Sequence, residues 1–392
     1  ALATQNVGSG TAVYNVALGY AAGTAVTTGT ENTFIGGLAG DANTTGATNV
    51  AVGFEALSAN TTASNNVAVG LQAGLANTTG NENTFLGNKA GKAVTTGADN
   101  TFVGSEAGDA TTTGASNVAM GKGALSANTN AANNTAVGFE SGHNTTTGAQ
   151  NTFFGRKAGR GNTTGTENTF VGNSAGRDGT TTGSHNVGIG SSCFNSLTGG
   201  NNNVGIGRDT LGSNTTANNN TAVGYQALAA NTTGTENTAI GSGAGDALTT
   251  SNANVAVGRL ALSTETSSNG NTAIGSEALK TQNVGGSGDA RNTAVGLLAG
   301  ANVTTGVQNV IIGALAGDAL TDSDYNVAIG IEALSADTLG SGSTAIGRNA
   351  LSSQNFTSAT TTFNTAVGDR AGLSVTTGVE NTIIGGLAGD AL

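Results

Sequence analysis

Residues 220–236 read NTAVGYQALAANTTGTE, and Asn237 begins the same phrase again. Numbered from its asparagine, the phrase is a 17-residue consensus, NTAVGxxALxxNTTGxx. Its first five positions are asparagine, threonine or valine, a small or aromatic residue, a large apolar residue and glycine. This block occurs 22 times between Asn15 and Asn381, and only Ser343 replaces the leading asparagine. The steps are 17 residues except for one of 18 (168 to 186) and two of 21 (271 to 292 and 343 to 364). A period this short and regular predicts a solenoid in which each repeat is one coil.

Composition agrees with one repetitive domain over 1–392, with residues 1–14 as a partial capping coil. The 392 residues include 65 glycines, no proline and 9% charged side chains. Such a mixture suits a disordered tract, but the apolar residue fixed at position 4 of every block argues for a packed core. No stretch approaches the roughly 18–20 apolar residues of a membrane span, so membrane insertion is not expected. The net charge of −11 without basic clusters disfavours nucleic acid and anionic membranes. Cys193 is alone and stands where most coils carry alanine, which predicts a packed thiol and no disulfide framework. A chain starting at Ala1 without methionine reads as processed or as a fragment.

Within a coil, NTAVG reads as a short strand and the invariant glycine as a corner. Positions 2 and 4 share one face and position 3 takes the other. With the β-branched positions 2 and 4 turned inward, position 3 points away from the coil. There Phe34, Phe85, Phe102, Phe153 and Phe170 form an apolar stripe expected to meet sister chains. A second strand is expected through positions 7–9, and the TTG run closes the coil. Pieces such as FEALSAN (54–60) are too short between glycines to form helix. The asparagine column predicts an inward ladder of amide hydrogen bonds. Stacked at about 4.8 Å, 22 coils make a rod on the order of 105 Å long.

Coils also recur in fours, giving a 68-residue super-repeat. Its first class starts at residues 15, 83, 151, 220, 292 and 364, and its second mostly carries AGDA. Equivalent aspartates therefore lie four coils apart, too far to share a calcium ion. The loop-like GNKAGKA (87–93) has the wrong spacing for phosphate binding and lacks the hydroxyl that would hold magnesium. His143 and His185 lie in different coils without a ligand cluster. No catalytic residues, cofactor or metal are expected, and the chain does not read as an enzyme.

NVAVG, NVAIG and NTAIG, each followed by two variable residues and alanine, resemble the repeats of trimeric autotransporter adhesin heads. The longer NTAVGYQALAANTTGTE is similar to the shaft repeats of phage tail fibres and spikes. The resemblance covers residues 6–392. It implies an all-β, left-handed parallel β-roll, homotrimeric, extracellular or on a cell surface or virion, that displays receptor-binding surfaces. The 17-residue coil is longer than that of the adhesin heads.

The expected function is therefore a structural fibre or adhesin. The main alternative is a self-assembling filament with end-to-end contacts. A minor one is ice binding by the threonine rows at positions 13 and 14, although the row breaks at Asn130, Gly199 and Leu339. Partners are expected to be sister chains and a host surface glycan or protein. The four extra residues in each 21-residue coil must leave the roll, because the flanking blocks keep register. They fall between Leu279 and Arg291 and between Leu351 and Phe363. Loops on a rigid scaffold are common recognition elements, with Lys280, Gln282, Asp289, Arg291, Gln354 and Asn355 as polar candidates.

Overall fold

A computed structural model describes residues 2–5, 12–286 and 288–391. The fold is an all-β parallel solenoid of about 22 turns with a period of about 17 residues, and no helix occurs among the described residues. The chain divides into two compact units, Ala1–Gly199 and Gly200–Leu392. Both are built from the same coil. The first carries three-residue strands from Val16–Leu18 to Val187–Ile189, and the second from Val204–Ile206 to Thr382–Ile384. Pairing is parallel and in register, with Thr84 beside Thr101, Phe85 beside Phe102 and Leu86 beside Val103. A further two-residue pair, Gly340–Ser341 with Thr360–Thr361, lies in the second unit.

The asparagine ladder forms as expected, and its geometry is complete. The backbone N–H of Asn49 donates to Oδ1 of Asn32 at 3.0 Å, and Nδ2 of Asn49 donates to the same oxygen at 3.1 Å. Nδ2 also donates to the carbonyl of Ala63 at 2.8 Å. The pattern repeats at Asn100, Asn117, Asn151 and Asn237, among others. Each of these amides thus uses both N–H donors, and its oxygen accepts the backbone N–H of the next coil, joined by the side-chain N–H at Asn32, Asn49, Asn100 and Asn237.

An inward position 1 dictates an inward position 3, because strand side chains alternate with period two. The expected sidedness is therefore reversed. Phe34, Phe85, Phe102, Phe153 and Phe170 are all fully enclosed by their own chain, and they cannot form the expected contact with sister chains. Positions 2 and 4 face outward instead, as at Leu86, Met120 and Phe154. Neighbouring rings meet from coil to coil: Phe85 and Phe102 lie 5.8 Å apart and tilted, Phe153 and Phe170 5.8 Å apart and stacked.

The expected second strand at positions 7–9 is also replaced. Positions 7 and 9 take left-handed backbone, as at Glu106 (φ 59°) and Gly108 (φ 57°), which breaks an extended run. The segment is a tight turn that still bonds from coil to coil: Glu106 N–H to the Asn88 carbonyl, Gly108 N–H to that of Ala124, both at 2.9 Å. At position 5 glycine is obligatory. A Cβ on Gly53 would lie 2.4 Å from the carbonyl oxygen of Gly70 in the next coil, and φ is 140° there.

Where position 3 is phenylalanine, position 9 is always glycine, and where position 9 is a large apolar residue, position 3 is alanine or glycine. Phe34, Phe85, Phe102, Phe153 and Phe170 face Gly40, Gly91, Gly108, Gly159 and Gly176, whereas Ala51, Ala119, Ala222 and Ala256 face Leu57, Leu125, Leu228 and Leu262. A Cβ on Gly108 would lie 2.5 Å from the Phe102 ring. In these coils one large side chain fills the interior, contributed from either wall. Where both positions are small, as at Ala68 and Gly74, the large side chains of the neighbouring coils (Leu57 and Phe85) reach into the space. We predict that Phe102→Ala costs about 3–5 kcal/mol and that Gly108→Leu is also destabilising. The double variant should recover part of both losses, since Leu125 adopts the same left-handed backbone (φ 50°). A double-mutant cycle by denaturant unfolding checks this, and strict additivity would contradict it.

Candidate interaction surfaces and the elongated coils

The outward face of the strands is built only from positions 2 and 4. Position 2 is threonine or valine and position 4 apolar in all 22 coils, so the face carries no charge. Val67, Leu86, Met120 and Phe154 in the first unit, and Ile206, Ile240, Ile274 and Ile312 in the second, are exposed. Position 6 borders this face with mixed residues. There Arg156 lies over Phe139 at 5.9 Å and Arg208 over Tyr225 at 5.7 Å. Elsewhere the hydroxyls of position 13 are turned to structure: Thr44 donates to the Thr61 carbonyl at 2.9 Å and Thr78 to that of Thr95 at 3.0 Å.

The two 21-residue coils share a construction that the repeat conceals. Gln282 and Gln354, expected as recognition residues, are fully buried. Gln282 Nε2 donates to Glu265 Oε2 at 3.3 Å, and its Oε1 accepts from Asn292 Nδ2 at 3.0 Å. Gln354 Nε2 donates to Asp337 Oδ2 at 2.6 Å, and its Oε1 accepts from Asn364 Nδ2 at 2.8 Å. In both cases a buried carboxylate one coil earlier anchors the glutamine, and the glutamine braces the asparagine of the next block. A buried amide tied on both sides is a fastening of the loop and not a contact for a ligand, so these two residues are corrected to a structural role.

Of the remaining candidates, Lys280 Nζ pairs with Glu277 Oε2 at 2.9 Å. Asp289 and Arg291 pair at 2.5 Å on the surface. Asn355 is exposed and its Oδ1 accepts from Thr338 at 3.2 Å. The anchors Glu265 and Asp337 escape a reading of motifs, yet they carry a signal. Both stand at position 12, otherwise mostly asparagine, threonine or an aliphatic residue, in the coil just before an ALxxQN phrase (278–283 and 350–355). Residues 1–6, ALATQN, repeat that phrase, and Gln5 precedes Asn15 by the same ten residues that separate Gln282 from Asn292 and Gln354 from Asn364. The start of the chain therefore has the sequence of an elongated coil.

Glu265 is held by a ring of donors: the N–H groups of Thr266, Ser267 and Ser268 all reach Oε1 at 2.9 Å, and that of Val284 reaches Oε2 at 3.3 Å. Burial pushes the carboxyl up, but the hydrogen bonds from Ser268, Ser267 and Val284 outweigh it and hold it below the ordinary glutamate value. Asp109, Asp246 and Asp318, at one position of the second coil class, shift the other way because burial dominates, with Glu106 adding to the effect at Asp109. Burial also pushes the Cys193 thiol far up, so it stays protonated. Among the described residues, no three histidine, cysteine, aspartate or glutamate side chains gather to hold a metal. His143 Nδ1 lies 2.9 Å from Asn144 Oδ1, and His185 Nε2 lies 3.5 Å from Glu167. No helix among the described residues is long and apolar enough to cross a membrane.

These shifts set opposite dependences on acid. The depressed Glu265 stabilises the fold above the unfolded glutamate value of about 4.3, and that contribution is lost as pH falls through the lower folded value. The raised aspartates add stability as pH falls through their folded values. Glu265→Gln should thus lower the unfolding temperature at neutral pH, with a deficit that starts to shrink as pH drops below about 4.3 and is gone only below the lower folded value. Melting curves across pH test this; a deficit of constant size down to strong acid would contradict it.

Compared with known proteins, the chain matches no family model and no curated protein.

Proposed function

We propose that the chain is a structural shaft of an extracellular or virion-borne fibre, formed by three copies that associate through their outward strand faces and display the elongated coils for attachment. The observation that carries this reading is the uncharged outer face, kept without exception in a chain of net charge −11. Eleven strands at about 4.8 Å and about 10 Å of strand width give each unit a face of about 500 Å². Two such faces closed on each other bury about 1,000 Å², the lower bound of a specific interface. Ridges that recur once per coil fit best against a partner of the same pitch, and a sister chain has that pitch by construction. The left-handed roll and the trimer follow the adhesin-head and phage-shaft repeats that this sequence resembles. Attachment would then be served by exposed side chains around residues 283–291 and 355–363.

Ile206→Asp with Ile240→Asp tests the assembly, because a desolvated, unpaired carboxylate is costly at an interface. Light scattering of the unaltered chain should give about three times 37.7 kDa, and the double variant should shift toward the monomer with its circular dichroism retained. A stable monomer of the unaltered chain would sink the proposal.

A further inference from the structure

We propose that Tyr325, Gly342 and Phe363 form a binding site for an uncharged glycan, in which pyranose rings stack on the two aromatic faces. This rests on the reading of the elongated coils as display elements and names the ligand class of one of them.

All three residues occupy the last position before the block asparagine or its replacement, in three successive coils of the second unit: Tyr325 before Asn326, Gly342 before Ser343, Phe363 before Asn364. The strands that follow them stay in register, Val327 beside Thr344 and Thr344 beside Thr365. The backbones of Tyr325 and Phe363 are therefore two coils, about 10 Å, apart along the stack. Tyr325 is 60% and Phe363 63% exposed. Between them Gly342 has no side chain, and a Cβ there would meet the Phe363 ring at 3.4 Å. The Phe363 ring thus lies over the backbone of Gly342, on the side of the column toward Tyr325.

The 21-residue coil makes this arrangement and fixes it. Thr360–Thr361 pairs with Gly340–Ser341. The neighbouring Thr362 is fully buried, its N–H donates to the Ser341 carbonyl at 2.8 Å, and its hydroxyl meets that of Ser343 at 2.6 Å. Phe363 therefore projects from an anchored base with its ring in solvent. Left-handed backbone at Tyr325 (φ 59°) and Phe363 (φ 48°) turns both residues out of the coil. The same column continues with Gln308 on one side and Glu380 on the other, both exposed.

Exposed, rigidly based aromatic rings flanked by an amide and a carboxylate suit a sugar. The electron-rich ring face meets the C–H face of a pyranose, while the few polar groups at the ends fix orientation by hydrogen bonds to hydroxyls. Glu380 in the column and the net charge of −11 select against sulfated, sialylated or uronic acid chains.

The test uses the full chain on a printed array of cellohexaose, chitohexaose and mannohexaose beside heparin and polysialic acid, followed by calorimetric titration of the neutral oligosaccharide bound best. At least one neutral oligosaccharide should bind, and Tyr325→Ala and Phe363→Ala should each weaken it at least tenfold with unchanged unfolding temperature. Phe363→Leu, which keeps an apolar contact over Gly342 but removes the ring, should weaken it similarly and covers the case in which alanine loosens the loop. Binding of none of the neutral probes, of the acidic probes alone, or binding that persists within twofold in the Tyr325→Ala/Phe363→Ala variant would overturn the site. The mass in solution is read in the same samples, so loss of the glycan site is separable from failure of the shaft assembly.

Discussion

A buried asparagine amide with two donors and two acceptor sites must find four partners, and the column at position 1 finds them only by stacking on itself. The side-chain oxygen takes the backbone N–H of the next coil and, at most positions, its side-chain N–H as well, as Asn49 does from Asn66. The side-chain nitrogen reaches the previous asparagine and a carbonyl of its own coil, as seen for Asn49 between Asn32 and Ala63. Leaving even one such group unpaired would cost about 1–3 kcal/mol. That constraint fixes coil spacing and strand register. Through the alternation of strand side chains, it also fixes which residues line the core. Position 3 must join the asparagine inside, and positions 2 and 4 must face out.

The rest of the interior adapts to the narrow space left. In many coils phenylalanine at position 3 or leucine at position 9 occupies it, with glycine or alanine opposite, and valine or leucine at position 12 contributes in coils such as those of Val94 and Leu248. Position 12 also carries a second polar column in which Asn60 Nδ2 donates to Asn43 Oδ1 at 2.7 Å. Where a coil lengthens, the same column changes chemistry. Glu265 with Gln282, and Asp337 with Gln354, replace asparagine with a carboxylate and a longer amide that span the added distance. The elongated coils are thus a built variant of the ladder and not loose insertions.

Much of this was legible in the residues themselves. The 17-residue spacing gave the coil, the asparagine column gave the ladder, and the glycine at position 5 marked a place where no Cβ fits. The sidedness of the strand was also implicit. An inward asparagine and an inward valine at position 2 are incompatible in one extended strand, and hydrophobicity at positions 2 and 4 is a weaker constraint than the pairing of a buried amide. The turn at positions 7–9 was hidden because left-handed glutamate, lysine and leucine leave no mark of the kind that glycine does. Gln282 and Gln354 read as surface residues because polarity alone does not distinguish a ligand contact from a fastening. Only the carboxylates at the same position of the preceding coil reveal the difference. As for candidate sites, the loop positions were visible from the breaks in period, whereas the column of Tyr325, Gly342 and Phe363 emerges only once the coils are stacked.

The claim that everything else depends on is that the position-1 amide, and not the apolar pattern, organises the coil. Amide hydrogen exchange at Asn134 tests it most directly, because that N–H donates to Oδ1 of Asn117 at 2.9 Å. In the Asn117→Ala variant the account predicts exchange at Asn134 at least tenfold faster, the equivalent of about 1.4 kcal/mol, while Asn130→Ala on the exposed row leaves it unchanged. Equal protection of Asn134 in the parent chain and in Asn117→Ala would contradict the account.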